Sequence, residues 1–250
     1  MLKIDLHTHT FNSMCGHHTA LEVMRLCHER GLEAIAITDH GPLGKSTSRG
    51  TFLDKRRFPG EYDGMRVLKG MEGNVLKLSG QTDIPLKNVE KMDIVLAGLH
   101  LVGFPPEDVD TNTESLVALA RGPLMPDIIT HPDQKQYPVD IDRLVTAAAE
   151  NGVALELNDV SFFLGKSDVD ALRRMVLLGH KRDALFALNS DGHTWIEFGH
   201  DEHVRQFLSD MSAPAINIIN DWPLPNVLSH LETRKRARLE ALRSAGSLPA

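Results

Sequence analysis

Short apolar segments of this chain end again and again in side chains that bind metal ions. Seven segments have the length and apolar content of buried β-strands. They are Lys3–Leu6, Ala34–Thr38, Val67–Glu72, Ile94–Ala97, Asp127–Thr130, Val153–Leu157 and Leu185–Asn189. Six of the seven end in or lead into histidine or carboxylate side chains, namely His7 and His9, Asp39 and His40, Glu72, His100, His131, and Asp191 with His193. Chance could explain one or two of these placements, but hardly six, so the fold must bring strand ends together.

Segments with helical periodicity separate the strands. They are Ala20–Arg30, Thr113–Arg121, Asp140–Glu150, Asp168–Leu178 and Asp201–Ser209. Alternation of this kind is typical of a parallel sheet covered by helices. With about seven strands in 250 residues, an α/β fold of the parallel β/α barrel (TIM-like) type is favoured over an open sheet. No linker or change of composition divides the chain, so residues 1–250 are predicted to form a single domain.

Two stretches interrupt the alternation. Residues 41–62 are polar and rich in glycine, serine and basic side chains, which predicts a mobile loop. Residues 226–243 have helical spacing and carry a basic cluster, which we expect to be a solvated helix face. That cluster consists of Arg234, Lys235, Arg236 and Arg238.

The spacing of the strand-end residues suits metal binding. In an extended strand, side chains two positions apart point the same way, so His7 and His9 can hold one ion. Asp191 and His193 can do the same if the chain stays extended there. Imidazole nitrogens with carboxylate oxygens favour zinc, manganese or iron over calcium or magnesium. The candidate ligands exceed what one four-coordinate ion needs, so we expect two or three divalent transition-metal ions per chain.

Composition narrows the partners and the compartment. The formal net charge of −7 does not favour bulk electrostatic capture of nucleic acid. The two cysteines, Cys15 and Cys27, form no disulfide framework and suit a reducing compartment. No apolar run approaches the ~20 residues needed to span a bilayer, and Asp5 and His7 interrupt the first apolar stretch, unlike a secretion signal. We therefore predict a cytoplasmic enzyme without a membrane partner.

Five ordered motifs resemble the PHP (polymerase and histidinol phosphatase) family, in particular its stand-alone YcdX-like phosphoesterases. The motifs are DLHTH at Asp5–His9, ITDHG at Ile37–Gly41, GLH at Gly98–His100, ITHPD at Ile129–Asp133 and SDGH at Ser190–His193. The resemblance implies a distorted seven-stranded β/α barrel with a trinuclear centre, usually of zinc or manganese, at its C-terminal face. It covers nearly the whole chain.

The resemblance also implies a division of ligands among three ions. One ion would be held by His7, His9, Glu72 and Asp191. Glu72 would bridge to a second ion, which His100 and His131 also hold. The third would be held by His40, His193 and a residue of the loop after the first strand. His17 is our choice for that residue because it follows a glycine; His18 and Cys15 are the alternatives.

A metal-dependent phosphatase mechanism follows as a hypothesis. Two neighbouring ions would produce a metal-bound hydroxide that attacks the phosphorus of a small phosphorylated substrate. The third ion would bind the leaving-group oxygen, or otherwise His193 or Asp39 would protonate it. Asp5 and Asp39 would orient ligand imidazoles.

Other residues are predicted to contact the substrate. These predictions rest on position after the sixth strand or on positive charge. They are Asn158, Ser161, Lys166 and Arg49, with Lys45, Lys55, Arg56 and Arg57 as further cations.

Three other functions remain as alternatives. A nuclease or 3′-end-processing phosphoesterase would use the same metals on a nucleic-acid end. An amidohydrolase would cleave a C–N bond, but that family uses a bridging lysine, and no lysine ends a strand at the right place here. A non-catalytic metal-binding module would be expected to have an eroded ligand set.

Overall fold

Strands and helices alternate through the computed structural model, which describes residues 1–44, 58–76 and 80–249. The strands are β1 (Ile4–Thr8), β2 (Ala34–Ile37), β3 (Glu61–Tyr62), β4 (Met65–Asn74), β5 (Ile94–Gly98), β6 (Ile128–Ile129), β7 (Ala154–Asn158), β8 (Leu185–Asn189) and β9 (Asn217–Ile218). The α-helices are α1 (Ala20–Glu29), α2 (Leu86–Val89), α3 (Val109–Arg121), α4 (Ile141–Glu150), α5 (Asp159–Phe163), α6 (Val169–Lys181), α7 (Glu202–Asp210) and α8 (Leu224–Ser244). Short 3₁₀ turns occupy Phe11–Ser13, Pro42–Gly44 and Ile219–Asp221.

The sheet is parallel and curled. Its order is β1-β2-β4-β5-β6-β7-β8-β9, and β3 pairs antiparallel with β4. All seven predicted strands form, in chain order, so the α/β, TIM-like architecture is confirmed. The strand count differs from seven because the two-residue strands β3 and β9 join the sheet. Such short segments have no periodicity that a sequence could reveal.

β1, at one end of the curled sheet, meets β8, next to the other end strand β9, through a seam made largely by side chains. Thr8 forms a parallel bridge with Gly192 just beyond β8. The Leu6 amide donates to Asn189 Oδ1 at 3.0 Å. Asn220 Nδ2 donates to both Ile4 O and Asn189 Oδ1. Buried amide side chains thus replace part of a backbone ladder, and they bring the C-terminal ends of β1 and β8 side by side.

Two apolar layers surround the strands. The inner layer contains alternate strand residues such as Ile4, Leu6 and Leu96, and the outer layer packs the other strand face against the helices. This alternation is the period-2 pattern of a pleated strand. Near the N-terminal ends of the strands, Val227 and Leu231 of α8 join the inner layer. Apolar side chains therefore fill the interior near the N-terminal ends of the strands, and polar side chains occupy it at the C-terminal ends.

A bulge in β1 turns histidines toward the barrel interior. Asp5 pairs with Ile35, and Thr8 pairs with Ile37, so β1 carries one residue more than β2 between the same rungs. A bulge of this kind re-aims side chains and is common near active sites. Leu6 packs in the inner layer, and His7, the next residue, contacts the interior carboxylate Glu72.

The helices form close to where periodicity predicts them, and side-chain caps set their starts. Thr19 and Glu22 make a capping box on α1. Asp108 accepts from the Thr111 amide at 2.7 Å, which starts α3 four residues before the predicted Thr113. None of the helices in the described ranges is both long and apolar enough to cross a bilayer.

The prediction that the basic cluster of α8 is a solvated helix face is wrong. Arg238 is 1% exposed and donates to Asp127 Oδ2 at 2.9 Å and to Met125 O at 2.8 Å. Arg234 donates to the carbonyl oxygens of Asn151 and Pro126. Only Arg236 among these three arginines is largely exposed, at 78%. The arginines thus fasten α8 to the β6 and β7 side of the sheet.

We expect Arg238→Ala to lower the free energy of unfolding by about 3 kcal/mol, because it removes the closer charge partner of the buried Asp127 carboxylate and leaves only Arg234, whose Nε lies 3.7 Å from Oδ1. The control Arg236→Ala breaks only an exposed pair with Glu232 and should cost less than about 1 kcal/mol. Urea unfolding of the metal-free proteins measures both. Equal losses in the two variants would contradict a fastening role for Arg238.

Candidate metal centre

Eight predicted ligands meet at the C-terminal ends of the strands. They are His7, His9, His40, Glu72, His100, His131, Asp191 and His193. Most of these side chains are buried or nearly so. Candidate ligand atoms form three overlapping groups in which all atoms lie within 4.8 Å of one another. One group contains His7, His9 and Glu72, and a second contains His40, Glu72 and His100.

Glu72 lies at the middle of this cluster, and its two carboxylate oxygens face different imidazoles. Oε1 lies 3.1 Å from His131 Nε2 and 3.2 Å from His100 Nε2. Oε2 lies 2.9 Å from His40 Nδ1 and 3.4 Å from His7 Nε2. The carboxylate is therefore placed between two sets of nitrogens, as the predicted bridge requires.

His7 and His9 point at a common spot. Their Nε2 atoms are 3.0 Å apart, and Asp191 Oδ1 lies 3.3 Å and 3.1 Å from them. Two zinc–nitrogen bonds of ~2.0–2.1 Å meeting at one ion place the nitrogens about 3 Å apart. The spacing fits joint ligation of one ion, the arrangement expected from the HxH pattern.

Hydrogen bonds at Nδ1 fix the tautomers of the His7 and His9 rings. Ser13 Oγ donates to Asp39 Oδ1 at 2.6 Å, so its lone pairs accept from His9 Nδ1 and the His40 amide. His7 Nδ1 lies 2.7 Å from Glu156 Oε1 and donates to it. In both rings the Nε2 lone pair is then left facing the cluster, where a metal would bind.

The third group contains Cys15, not His17. Cys15 joins His9, His40 and His193 within the same 4.8 Å limit. His17 is exposed and donates its backbone amide to His193 O. His18 Nε2 accepts from the Trp195 amide at 3.1 Å. This geometry favours the alternative Cys15 over our choice of His17. The loop turns at Gly16, where a Cβ would lie 2.2 Å from Thr10 O, and this turn separates the two residues.

The donor set fits transition-metal ions. Glu72 Oε2 and Asp191 Oδ1 are buried and make no hydrogen bond to any described residue, although imidazole nitrogens lie nearby. Buried carboxylate oxygens are normally hydrogen-bonded, so converging acceptors that have only imidazole nitrogens nearby point to a cation between them. Nitrogen, oxygen and sulfur donors suit zinc, manganese or iron. The backbone is strained at two of the ligands, since His131 has φ 34° and Asp191 has φ 54°.

Charge shapes the protonation of the metal-free cluster. Burial would raise the pKa of Glu72, but His100, His7 and His40 hold it well below its usual range. Burial would lower the pKa of His40, but Glu72 and Cys15 raise it to about 10. Burial also opposes the shift at His193, where Cys15 and Asp191 raise the pKa to about 9. Protons therefore take the place of positive metal charge.

The hydrogen bonds of Asp5 and Asp39 and the backbone at Asp191 differ from the predicted arrangement. Among the described residues, Asp5 makes no hydrogen bond or ion pair with an imidazole ring. It accepts from Ser190 Oγ and from the amides of Gly199 and His7, and it ties β1 to the loop after β8. Asp39 accepts from Thr10 and Ser13, so its carboxylate acts on the His9 ring only through Ser13. The stretch from Asp191 to His193 is not extended, because Asp191 has a positive φ.

The residues predicted to contact substrate lie in different surroundings. The Asn158 side chain is fully engaged: Nδ2 donates to Glu156 and Asp191, and Oδ1 caps α5 at Ser161. Asn158 therefore holds Asp191 in place, and its contact with substrate stays a prediction. Ser161 is buried in α5 and Lys166 is exposed in the loop after it. Arg49 lies outside the described residues, as do Lys45, Lys55, Arg56 and Arg57.

Glu156, which the sequence did not indicate as a site residue, holds two candidate ligands, His7 and His131, in place. Besides His7, it accepts from the His131 amide at 2.9 Å and from Asn189 Nδ2 at 2.8 Å. Its signal was a single carboxylate inside the apolar run of β7, where a charge must have partners. Thr130 was also missed; its Oγ1 donates to Glu72 Oε1 at 2.7 Å.

We expect Cys15→Ser to lower the bound metal by about one equivalent per chain, because a hydroxyl is a far weaker ligand than a thiolate. The matched variant His17→Ala should keep all equivalents. Elemental analysis after dialysis counts the metal, and a thiolate-to-cobalt charge-transfer band in the Co²⁺-loaded protein should vanish only in Cys15→Ser. Loss of metal from His17→Ala alone would restore His17 as the ligand.

Metal uptake near pH 7 should release protons. His40, with a pKa of about 10, and His193, with a pKa of about 9, hold protons there in the metal-free protein. Since bound metal requires deprotonated ligands, affinity should rise with pH until about pH 10, the pKa of His40. Zinc titration in weak buffer with a pH indicator measures the release. His40→Gln should release fewer protons, His28→Gln the same number as wild type; pH-independent affinity would contradict the assignment.

Comparison with known proteins agrees with this geometry. Residues 5–160 match the family model of the PHP domain. The chain is 34% identical over 238 residues to a "probable phosphatase" of Pectobacterium carotovorum subsp. carotovorum (strain PC1), covering 94% of this chain and 96% of that protein.

Solved structures share the fold at lower identity. The histidinol phosphate phosphatase of Lactococcus lactis subsp. lactis Il1403, complexed with zinc, L-histidinol and phosphate, is similar with a TM-score of 0.51 and 16% identity, over 86% of this chain and 95% of that one. A chain in an archaeal ribonuclease P with mature tRNA is similar with a TM-score of 0.55 and 17% identity, over 96% and 91%. Identity this low shows only the fold. The family match and the 34%-identical relative show more: this chain belongs to the PHP domain family.

Proposed function

We propose that this chain hydrolyses a small phosphorylated substrate with two or three divalent ions, zinc or manganese or iron, held at the candidate metal centre. The observation that carries the proposal is the placement of Glu72. One of its oxygens faces His100 and His131, and the other faces His7 and His40. A carboxylate shared in this way would hold two ions close together, as two-metal hydrolysis requires.

The family match and the phosphatase relative assign the enzyme class. The chain is a metal-dependent phosphoesterase of the PHP family, because the family match and the phosphatase relative coincide with a buried nitrogen and oxygen donor set. The number of ions, their identity and the hydroxide nucleophile are our proposal. Small phosphate esters are favoured as substrates, in line with the relative's description as a phosphatase.

The protein's own groups would do three things. When bound, the metals would activate water and polarise the phosphoryl oxygens. Glu156 and Ser13 keep the Nε2 lone pairs of His7 and His9 directed inward, and Asn158 holds Asp191 through Oδ2 at 3.0 Å. The apolar inner layer beneath the centre excludes water from that side. Such preorganisation strengthens electrostatic stabilisation of the charge that develops at phosphorus.

The alternatives have less support. An amidohydrolase-type site would need a lysine bridge, but the residue between the imidazoles is Glu72; Lys69, also on β4, lies 5.9 Å from the centroid of the Phe58 ring. A non-catalytic module would not need eight convergent ligands with oriented tautomers. A nuclease role uses the same centre, but the net charge of −7 disfavours a long nucleic-acid substrate.

We expect the Mn²⁺- or Zn²⁺-loaded protein to hydrolyse p-nitrophenyl phosphate and some of a panel of phosphomonoesters that includes histidinol phosphate. Glu72→Gln should lose bound metal and at least about 100-fold in kcat/KM, more than removal of an outer partner typically costs. Phosphate release and elemental analysis are the measurements.

Controls separate the competing functions. Glu90→Gln removes a half-exposed carboxylate paired with Arg243 and should keep metal and activity. An oligonucleotide with a 3′-phosphate and an amide panel test the nuclease and amidohydrolase alternatives. A fully metal-loaded protein that is inactive on every phosphoester would overturn the proposal.

A further inference from the structure

A cavity of about 340 Å³ opens beside the metal centre between the loops after β1, β2 and β5. Three candidate ligands, Cys15, His40 and His100, stand in its wall. Any group inside it would therefore lie next to the metals. The volume is in the range of small-molecule sites.

The rest of the wall is mostly apolar. Met14, Leu101 and Val102 line it, and all three are exposed, at 64%, 66% and 53%. They come from two different loops yet meet at one cavity. Large apolar side chains gathered around a concave site, unlike single scattered ones, are typical of ligand contact.

Most hydrogen-bonding atoms of the polar side chains Ser13 and Asn74 in the wall are already bonded to protein groups. Ser13 Oγ is fully used by Asp39, His9 and His40. Asn74 Nδ2 donates to Asp83 Oδ2 at 2.7 Å, which leaves Asn74 Oδ1 as a buried acceptor with no partner among the described residues. No lysine or arginine lines the cavity in the part of the chain that the structure describes. The wall thus suits an apolar group with at most one hydrogen-bond donor.

We propose that this cavity binds the leaving group of the substrate, and that the substrates are phosphomonoesters of apolar or aromatic alcohols rather than of sugars or polyols. The inference rests on the proposed phosphoesterase function, because the metals would hold the phosphoryl group at His40 and His100. Met14, Leu101 and Val102 would then remove the leaving group's apolar surface from water.

The test measures binding apart from catalysis. Methylphosphonate, butylphosphonate and 2,3-dihydroxypropylphosphonate are titrated into the metal-loaded protein by calorimetry. Each buried methylene should tighten binding about three- to fourfold, so butylphosphonate should bind at least about tenfold tighter than methylphosphonate, with a more negative heat-capacity change. The dihydroxypropyl compound should bind no tighter than methylphosphonate.

Two variants locate the effect. Leu101→Ser and Met14→Ser should each reduce the preference for butylphosphonate over methylphosphonate, and both side chains are exposed enough to be replaced without unfolding. Leu21→Ser, an exposed leucine of α1 outside the cavity at 61%, should keep the full preference. Equal affinity for the three phosphonates, or a preference that Leu101→Ser and Met14→Ser leave unchanged, would overturn the inference. Graded binding without hydrolysis of any phosphoester would instead overturn the proposed function and leave the apolar cavity standing.

Discussion

The buried carboxylate of Glu72, surrounded by imidazoles, is the interaction around which the C-terminal end of this barrel is arranged. A carboxylate without water or a counter-charge is very costly in a protein interior. Here His7, His40 and His100 hold its pKa well below the usual range although burial acts the other way. Protons can supply the positive charge in the metal-free protein, and metal ions can supply it in the loaded one. The same geometry therefore serves folding and metal binding.

The ligand lone pairs can converge on the metal centre only if hydrogen bonds hold the other atoms of the ligand residues in place. Glu156 accepts from the His7 ring, the His131 amide and Asn189, which also forms the seam between β1 and β8. The closure of the barrel and the tautomer of a ligand thus share one buried network. At the opposite end, α8 fills the inner layer and is fastened by Arg238. We infer that packing at the N-terminal end offsets strain at the C-terminal end, where His131 and Asp191 have positive φ.

Strand-end residues were predictable because the pattern depends only on strand length and on the parallel arrangement of the sheet. Glu156 was not, since it lies within a strand and a sequence does not show which face of the pleat a lone carboxylate occupies. Cys15 could not be separated from His17 either: the choice depends on a turn in which Gly16 packs against Thr10 O. The arginines of α8 looked like a solvated cluster because their partners include the carbonyl oxygens of Met125 and Asn151, which carry no sequence signal.

The fold itself does not select a substrate, since the same architecture occurs in a zinc-bound histidinol phosphate phosphatase and in a ribonuclease P. Selection must come from the loops that follow the strands. In this chain the loop after β1 does two things at once, because Cys15 belongs to the third ligand group while its neighbour Met14 lines the apolar cavity. His40 belongs to both as well. A leaving group in the cavity would therefore lie against the third metal position rather than the pair formed by His7 and His9. Under our proposals, one short loop would therefore link leaving-group recognition to binding of the third metal.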